Sequence, residues 1–135
     1  MIWEPFDDQS RNIIKDAQKY ALRIGNNYIG TEHILVSIII NDEYLRNVLK
    51  DQDIEIYDII KEVENINIFY NIDIDIDIDK GIVFTNRMKK IIEISVYKTR
   101  DRKGYGISPK DIFDAILEEN KSTGYKILMN LGFRR

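Results

Sequence analysis

The sequence predicts an all-α fold built from one helical unit used twice. Three observations predict it. Apolar residues recur at spacings of three and four through most of the chain, which lines one face of a helix. Start and stop signals punctuate that pattern, with Thr31 and Ser108-Pro109 as starts and Gly25 and Gly132 as stops. The second half then repeats the apolar positions of the first at a fixed shift.

The chain has 135 residues, which fits one domain over 1–135 and suffices to bury a real core. Hydrophobic residues make up 44% and charged residues 32%, a globular balance and not a disordered one. The net charge of -3 gives no global field that would draw nucleic acid. With no cysteine there are no disulfides, thiol nucleophiles or thiolate-bound metals. The start, Met1-Ile2-Trp3-Glu4-Pro5, lacks the basic and apolar regions of a signal peptide. No apolar run approaches the roughly 18 residues of a membrane span. The expectation is a soluble, cytoplasmic chain without a membrane partner.

The first helix is expected over about Asp8 to Ile24, with Ile13, Ile14, Ala17, Ala21 and Ile24 on its buried face. Asp7 or Asp8 can cap its start, where a carboxylate suits the positive end of the helix dipole. Gly25 can end it in a left-handed conformation. The second helix is expected to start at Thr31 as N-cap, with Glu32 in its first turn and Ile34, Leu35, Ile38 and Ile39 as its stripe. A short third helix carries Tyr44, Leu45, Val48 and Leu49. A fourth carries Ile56, Ile59, Ile60 and Val63.

From Asn71 to Asp79 isoleucine and aspartate alternate with a period of two. A lone strand has no ladder partner, so the tract reads as an extended linker over about 67–83. Its aspartates invite a calcium reading, but a regular strand spreads them along a line instead of around an ion. The helical signal returns after it. Phe84-Thr85 precedes a helix with Ile91, Ile92, Ser95 and Thr99 on one face. Ser108-Pro109 reads as an N-cap followed by proline at the first helical position, ahead of Ile112, Phe113, Ile116 and Leu117. A last helix carries Tyr125, Ile127, Leu128 and Leu131 and ends near Gly132.

Phe84 lies 78 positions after Phe6. At that shift Ile13-Ile14 falls on Ile91-Ile92, Ala17 on Ser95, Ala21 on Thr99, Ile29 on Ile107 and Ile34 on Ile112. One extra residue aligns Val48-Leu49 with Ile127-Leu128. Two pseudo-symmetric repeats are therefore expected, over about 6–66 and 84–135. The second lacks a counterpart of the fourth helix before Arg135, so about seven helices are expected in all.

Little in the chain supports catalysis. His33 is the single histidine, which with carboxylates alone is a poor zinc set and cannot complete a hydrolase triad. Its simpler role is to order the junction between loop and helix. There is no GxxxxGK[ST] loop, so ATP hydrolysis by that route is excluded. No metal and no cofactor are expected. Trp3 can pack on the domain or meet a partner. The run Arg100-Asp101-Arg102-Lys103 reads as a solvated helix end, where cations suit the dipole.

The stretch Asn27-Tyr28-Ile29-Gly30-Thr31-Glu32-His33-Ile34-Leu35, with Phe6 and Arg11-Asn12-Ile13-Ile14 before it, resembles the first repeat of the Clp N-terminal domain. That domain stands at the front of the Clp ATPases that feed the Clp protease. The resemblance is tight at Asn27 to Leu35 and looser in the second repeat, where Phe84-Thr85-Asn86-Arg87 carries it. It covers essentially the whole chain, as a stand-alone or excised domain, with the stand-alone form favoured by the short second repeat.

The resemblance implies docking without chemistry. Its partners would be a Clp ATPase, adaptor proteins or protein substrates. It also implies a receptor for phosphorylated arginine with one pocket per repeat. The glutamate of Thr-Glu-His would meet the guanidinium, and the threonine after the opening phenylalanine would help hold the phosphate. The candidate binding residues are thus Thr31, Glu32, His33, Asp7, Thr85 and Lys110. Two departures stand out. Glu32 is kept, but Asp7 replaces the threonine of repeat one. Thr85 is kept, but Lys110 and Asp111 replace the glutamate and histidine of repeat two. Each repeat thus keeps a different half of the pocket. Glu32 could serve as ligand or only as a dipole partner. Lys110 has two readings as well: part of an anion site at a helix start, or an exposed lysine paired with Asp111 or Asp114. The alternative function is a diverged helical regulatory or nucleic-acid-binding protein, against which the acidic balance argues.

Overall fold

The computed structural model describes residues 5–69 and 83–135. Trp3 and the Ile-Asp tract lie outside the described residues. Seven helices are seen among the described residues: α1 (Asp8–Arg23), α2 (Thr31–Asn41), α3 (Glu43–Lys50), α4 (Ile56–Phe69), α5 (Asn86–Asp101), α6 (Pro109–Glu118) and α7 (Thr123–Asn130). Among the described residues there is no strand beyond two isolated bridges. The all-α, two-repeat expectation holds.

The caps set the helix limits. Asp7, Asp42, Thr85, Ser108 and Ser122 each accept a hydrogen bond from the backbone N–H three residues on. Each bond satisfies a donor that the first turn leaves without a partner. Four helices end alike, in a 6→1 bond closed over a left-handed residue. After α1 the bond runs from Asn26 N–H to Ala21, and after α5 from Gly104 N–H to Thr99. After α3 it runs from Ile54 N–H to Leu49, and after α7 from Phe133 N–H to Leu128. The residues at positive φ are Gly25 (86°), Lys103 (58°), Asp53 (60°) and Gly132 (84°). Gly25 and Lys103 are equivalents at the 78-residue shift, and Asp53 and Gly132 at the shift of one more. The repeat thus extends to backbone conformation.

The helix α2 is the centre of the core. From Thr31 to Ile39 only Glu32 is not fully buried. A helix apolar on nearly every side needs neighbours on every side, and α1, α3, α4, α5, α6 and α7 supply them. Its counterpart α6 is buried at Ile112, Phe113, Ala115, Ile116 and Leu117. The register of the third helix also holds, since buried Leu45 and Leu49 correspond to buried Gly124 and Leu128. Gly124 leaves little room for a side chain: a Cβ there would lie 3.2 Å from the Thr31 carbonyl oxygen and from Ile116 Cγ2, so a neighbour would have to give way.

Two expectations need correction. Thr31 is not the N-cap of α2. Gly30 is, and Thr31 is the first helical residue. The Thr31 hydroxyl accepts instead from the Gly124 N–H at 2.8 Å, across the two repeats. The basic run after α5 is not merely solvated either, because Arg102 is engaged by Asp111.

Candidate functional site

The repeats are joined by exchange. The short segment before α2 pairs with the segment before α5, and the segment before α6 pairs with the one before α1. In the first junction Ile29 N–H donates to the Val83 carbonyl at 2.8 Å, and Thr85 N–H donates to the Ile29 carbonyl at 3.0 Å. In the second, Ile107 N–H donates to Pro5 at 2.7 Å and Asp7 N–H donates to Ile107 at 3.0 Å. The candidate residues are therefore shared out across repeats. Glu32 and Thr85 belong to one junction, and Lys110 and Asp7 to the other. The within-repeat pairing expected from the sequence is not the spatial one.

In the first junction His33 is buried and holds the loop. Gly30 N–H donates to His33 Nδ1 at 2.9 Å. Nδ1 therefore carries no proton, and Nε2–H donates to Asn26 Oδ1 at 2.9 Å. The rings of Tyr20 and Tyr28 flank it at 6.1 and 5.5 Å. Burial lowers the His33 pKa to about 4, so the imidazole is neutral at physiological pH. The 3.7 Å approach of Glu32 to Nδ1 is consequently not an ion pair.

Glu32 folds back over Gly30, where a Cβ would collide with its carboxyl. Its side chain is 12% exposed. No lysine or arginine among the described residues lies within ion-pairing distance of it. Burial raises its pKa to about 7, against the opposing effect of its own backbone N–H. Thr85, in the same junction, uses Oγ1 to accept from Met88 N–H at 3.1 Å, which leaves the hydroxyl proton free to donate.

The second junction repeats the frame with other chemistry. Asp111 is the equivalent of His33 and likewise reaches back, accepting the Ser108 N–H at 3.0 Å. It also accepts from Thr99 Oγ1 at 2.8 Å, from Arg102 Nε at 2.9 Å and from the other guanidinium arm at 2.7 Å. Burial alone would push this carboxyl up. The Arg102 guanidinium and the hydrogen bonds from Ser108 and Thr99 outweigh it and hold the pKa down at about 2. Lys110 is 63% exposed at its side chain and pairs with Asp114 at 2.8 Å. That bond raises its pKa further. Asp7 spends Oδ1 on the Ser10 N–H at 2.7 Å. The anion site considered for Lys110 loses ground here. Pro109 offers no N–H, Ser108 takes the Asp111 N–H, and a carboxylate occupies the helix start.

Thr31 is hydrogen-bonded to Gly124 and His33 to Gly30 and Asn26, and Glu32, Thr85, Lys110 and Asp7 belong to the two junctions. Sequence reasoning missed Asn26, Gly30, Arg102 and Gly124. Asn26, Arg102 and Gly124 have partners beyond helical spacing or in the other repeat, so periodicity gives no signal for them; Gly30 meets His33 three residues on, but through its backbone N–H, which no residue type marks. Among the described residues no group of His, Asp and Glu is arranged to hold a metal ion. No helix there is long and apolar enough to cross a membrane.

Fold and junctions together define a two-repeat helical domain whose repeats exchange their entry segments. The family model described as the Clp repeat N-terminal domain matches residues 5–131, and this chain belongs to that family. It is 27% identical over 133 residues to the chaperone protein ClpB of Oceanobacillus iheyensis, covering 98% of this chain and 16% of that protein. It is 29% identical over 133 residues to the negative regulator of genetic competence ClpC/MecB of Bacillus subtilis, with the same coverage. The chain therefore spans about a sixth of the length of these relatives. The N-terminal domain of the chaperone ClpD from Arabidopsis thaliana shares the fold, with a TM-score of 0.71 at 20% identity over 98% of this chain and 90% of that one.

Proposed function

We propose that this chain is a non-catalytic docking module of a cytoplasmic Clp system, which binds adaptors or protein substrates or regulates a Clp ATPase. The observation that carries the reading is the first junction. There, a carboxyl without a counter-cation among the described residues shares a junction with a threonine at the start of α5. A guanidinium satisfies the first group. An anion linked to it is met by the Thr85 hydroxyl and by the unpaired first-turn N–H groups of α5. Phosphoarginine on a tagged protein fits that order of charges. The second junction presents a cation and a carboxylate in the reverse order and does not fit it. A nucleic-acid partner draws no support, because Arg102 is spent on Asp111.

The test is a quantitative pull-down from lysate of the source cell, comparing the native chain with Glu32→Ala. The expected result is enrichment of a Clp ATPase, protease subunit or adaptor, reduced by the substitution. Enrichment that ignores the substitution keeps the docking role and removes the site from Glu32. The absence of every Clp component overturns the reading.

A further inference from the structure

An ionised carboxyl that is nearly buried and unpaired is costly, and a group in that position takes up a proton to relieve the cost. Glu32 is in that position by construction. Its carboxyl lies over Gly30, which has no side chain to hold it away. Among the described residues, the groups that face it supply no positive charge in an ion pair. His33, on the same helix, has Nδ1 committed to the Gly30 N–H. Tyr28 from the loop and Tyr20 from α1 are neutral phenols, and burial is the first cause of the rise in both their pKa values. Glu64 of α4 adds a negative charge beyond Tyr20, while Arg23 of α1 acts on Tyr20 and forms no ion pair with Glu32. Thr85 of α5 is uncharged. The same position in the other repeat is Lys110, already paired.

We propose that a guanidinium docking at this junction displaces a proton from the Glu32 carboxyl, so that the junction is a proton-exchanging seat whose grip tightens as pH rises. This rests on the docking reading above. The exchange balances: the carboxyl O–H gives its proton to the buffer, and the carboxylate left behind pairs with the guanidinium, which keeps all its protons. Burial lifts the free carboxyl to about 7, and a bound cation pulls it down. Affinity is therefore highest above neutrality and falls by about tenfold between pH 8 and pH 6.

The experiment uses the full chain. The Glu32 carboxyl carbon is titrated by NMR, and phosphoarginine and N-acetylarginine amide are titrated by calorimetry in buffers of different protonation enthalpy. The expected results are a free carboxyl titrating near 7 and about half a proton released per guanidinium bound at pH 7. Glu32→Gln should bind weakly and lose the pH dependence. Gly30→Ala serves as the second variant. Its Cβ takes the place of the carboxyl and turns Glu32 outward, while a φ of -100° suits alanine, so the domain folds. It should titrate in the ordinary carboxylate range and bind without releasing protons. Two results overturn the proposal and spare the docking reading: a native carboxyl titrating near 4.5, or binding with no proton release. A carboxyl titrating near 7 with neither probe bound at pH 8 takes down both.

Discussion

At the third residue of α2 stands a neutral histidine, and at the third residue of α6 an ionised aspartate. Both reach back to the N–H of the residue that caps their helix, at 2.9 and 3.0 Å. The backbone asks the same service of each: an acceptor for one donor. Around that shared bond the charge is arranged in opposite ways. The α2 junction leaves the acid at position two, Glu32, without a cation among the described residues. The α6 junction pairs Asp111 with Arg102 and Lys110 with Asp114, and its Asp7 caps α1. A duplicated frame tolerates either solution as long as each buried donor is met. The difference lies in how charge is met: the second junction pairs its lysine and its buried aspartate, and the first leaves Glu32 without an ion pair among the described residues.

The largest effect is expected where that pairing is broken. Asp111→Asn leaves the Arg102 guanidinium without its anion and should cost about 3 kcal/mol at pH 7, read from urea unfolding. The sign follows from the lowered pKa of Asp111, about 2 in the fold. Its stabilisation is complete above the unfolded value near 4 and is lost as pH falls through about 2. The deficit of the variant should therefore shrink at pH 2. A neutral Asp111→Asn would mean that the ion pair adds nothing to the helix start.

Next in size is Glu32→Gln, which should act with the opposite sign. The folded carboxyl is raised to about 7, so its favourable contribution is full below the unfolded value near 4.5 and is lost as pH rises through 7. Replacing it should stabilise the domain by about 2 kcal/mol at pH 8 and change little at pH 4. His33, lowered to about 4, works the other way and costs stability as pH falls below 6.5. Between about 4.5 and 6.5 the two slopes oppose each other, so the native chain should show a plateau there and a decline above it. Thermal melts across that range check both statements. A chain equally stable at pH 6 and pH 8 would contradict the unpaired carboxyl.

A smaller effect separates the helix ends. Lys103 and Asp53 sit at φ of 58° and 60°, where their equivalents Gly25 and Gly132 carry no Cβ penalty. Lys103→Gly and Asp53→Gly should each gain about 1 kcal/mol, while Gly25→Ala and Gly132→Ala should each lose about as much. If Lys103→Gly gains nothing, its left-handed turn is held by side-chain contacts and not by the backbone.

Much of this frame was legible in the sequence. Apolar spacing and caps are local, so Asp7, Thr85 and Ser108 could be read as helix starts, and Gly25 and Gly132 as stops. The shift of 78 residues told which positions are equivalent. It could not tell which are neighbours, because repeats that pair within themselves and repeats that exchange segments give the same alignment. The exchange is a tertiary fact carried by the Ile29–Phe84 and Phe6–Ile107 bridges. It brings Glu32 and Thr85 to one junction and Lys110 and Asp7 to the other. Thr31 was misread for a related reason. Threonine is a good N-cap by propensity, but its hydroxyl is claimed by Gly124, 93 residues away. Arg102 looked solvated because its anion lies nine residues on, beyond the reach of helical spacing.

The smallest expected change in stability tests the reversal itself. Lys110 and Asp114 form an exposed pair four residues apart, worth no more than about 0.5 kcal/mol. Asp7→Thr exchanges one good N-cap for another at a similar cost. The double variant Asp7→Thr, Lys110→Glu should therefore fold like the native chain. It gives the second junction the same pair of groups, threonine and glutamate, that the first junction holds. Calorimetry with phosphoarginine should then count two equivalents per chain where the native protein takes one. The acid placed at 110 would keep Asp114 four residues away as a like charge, so its site should be the weaker of the two. A count that stays at one would show that the first junction depends on more than Glu32 and Thr85, with the neutral His33 behind Glu32 as the next residue to transplant, in place of Asp111 and together with loss of the Arg102 charge.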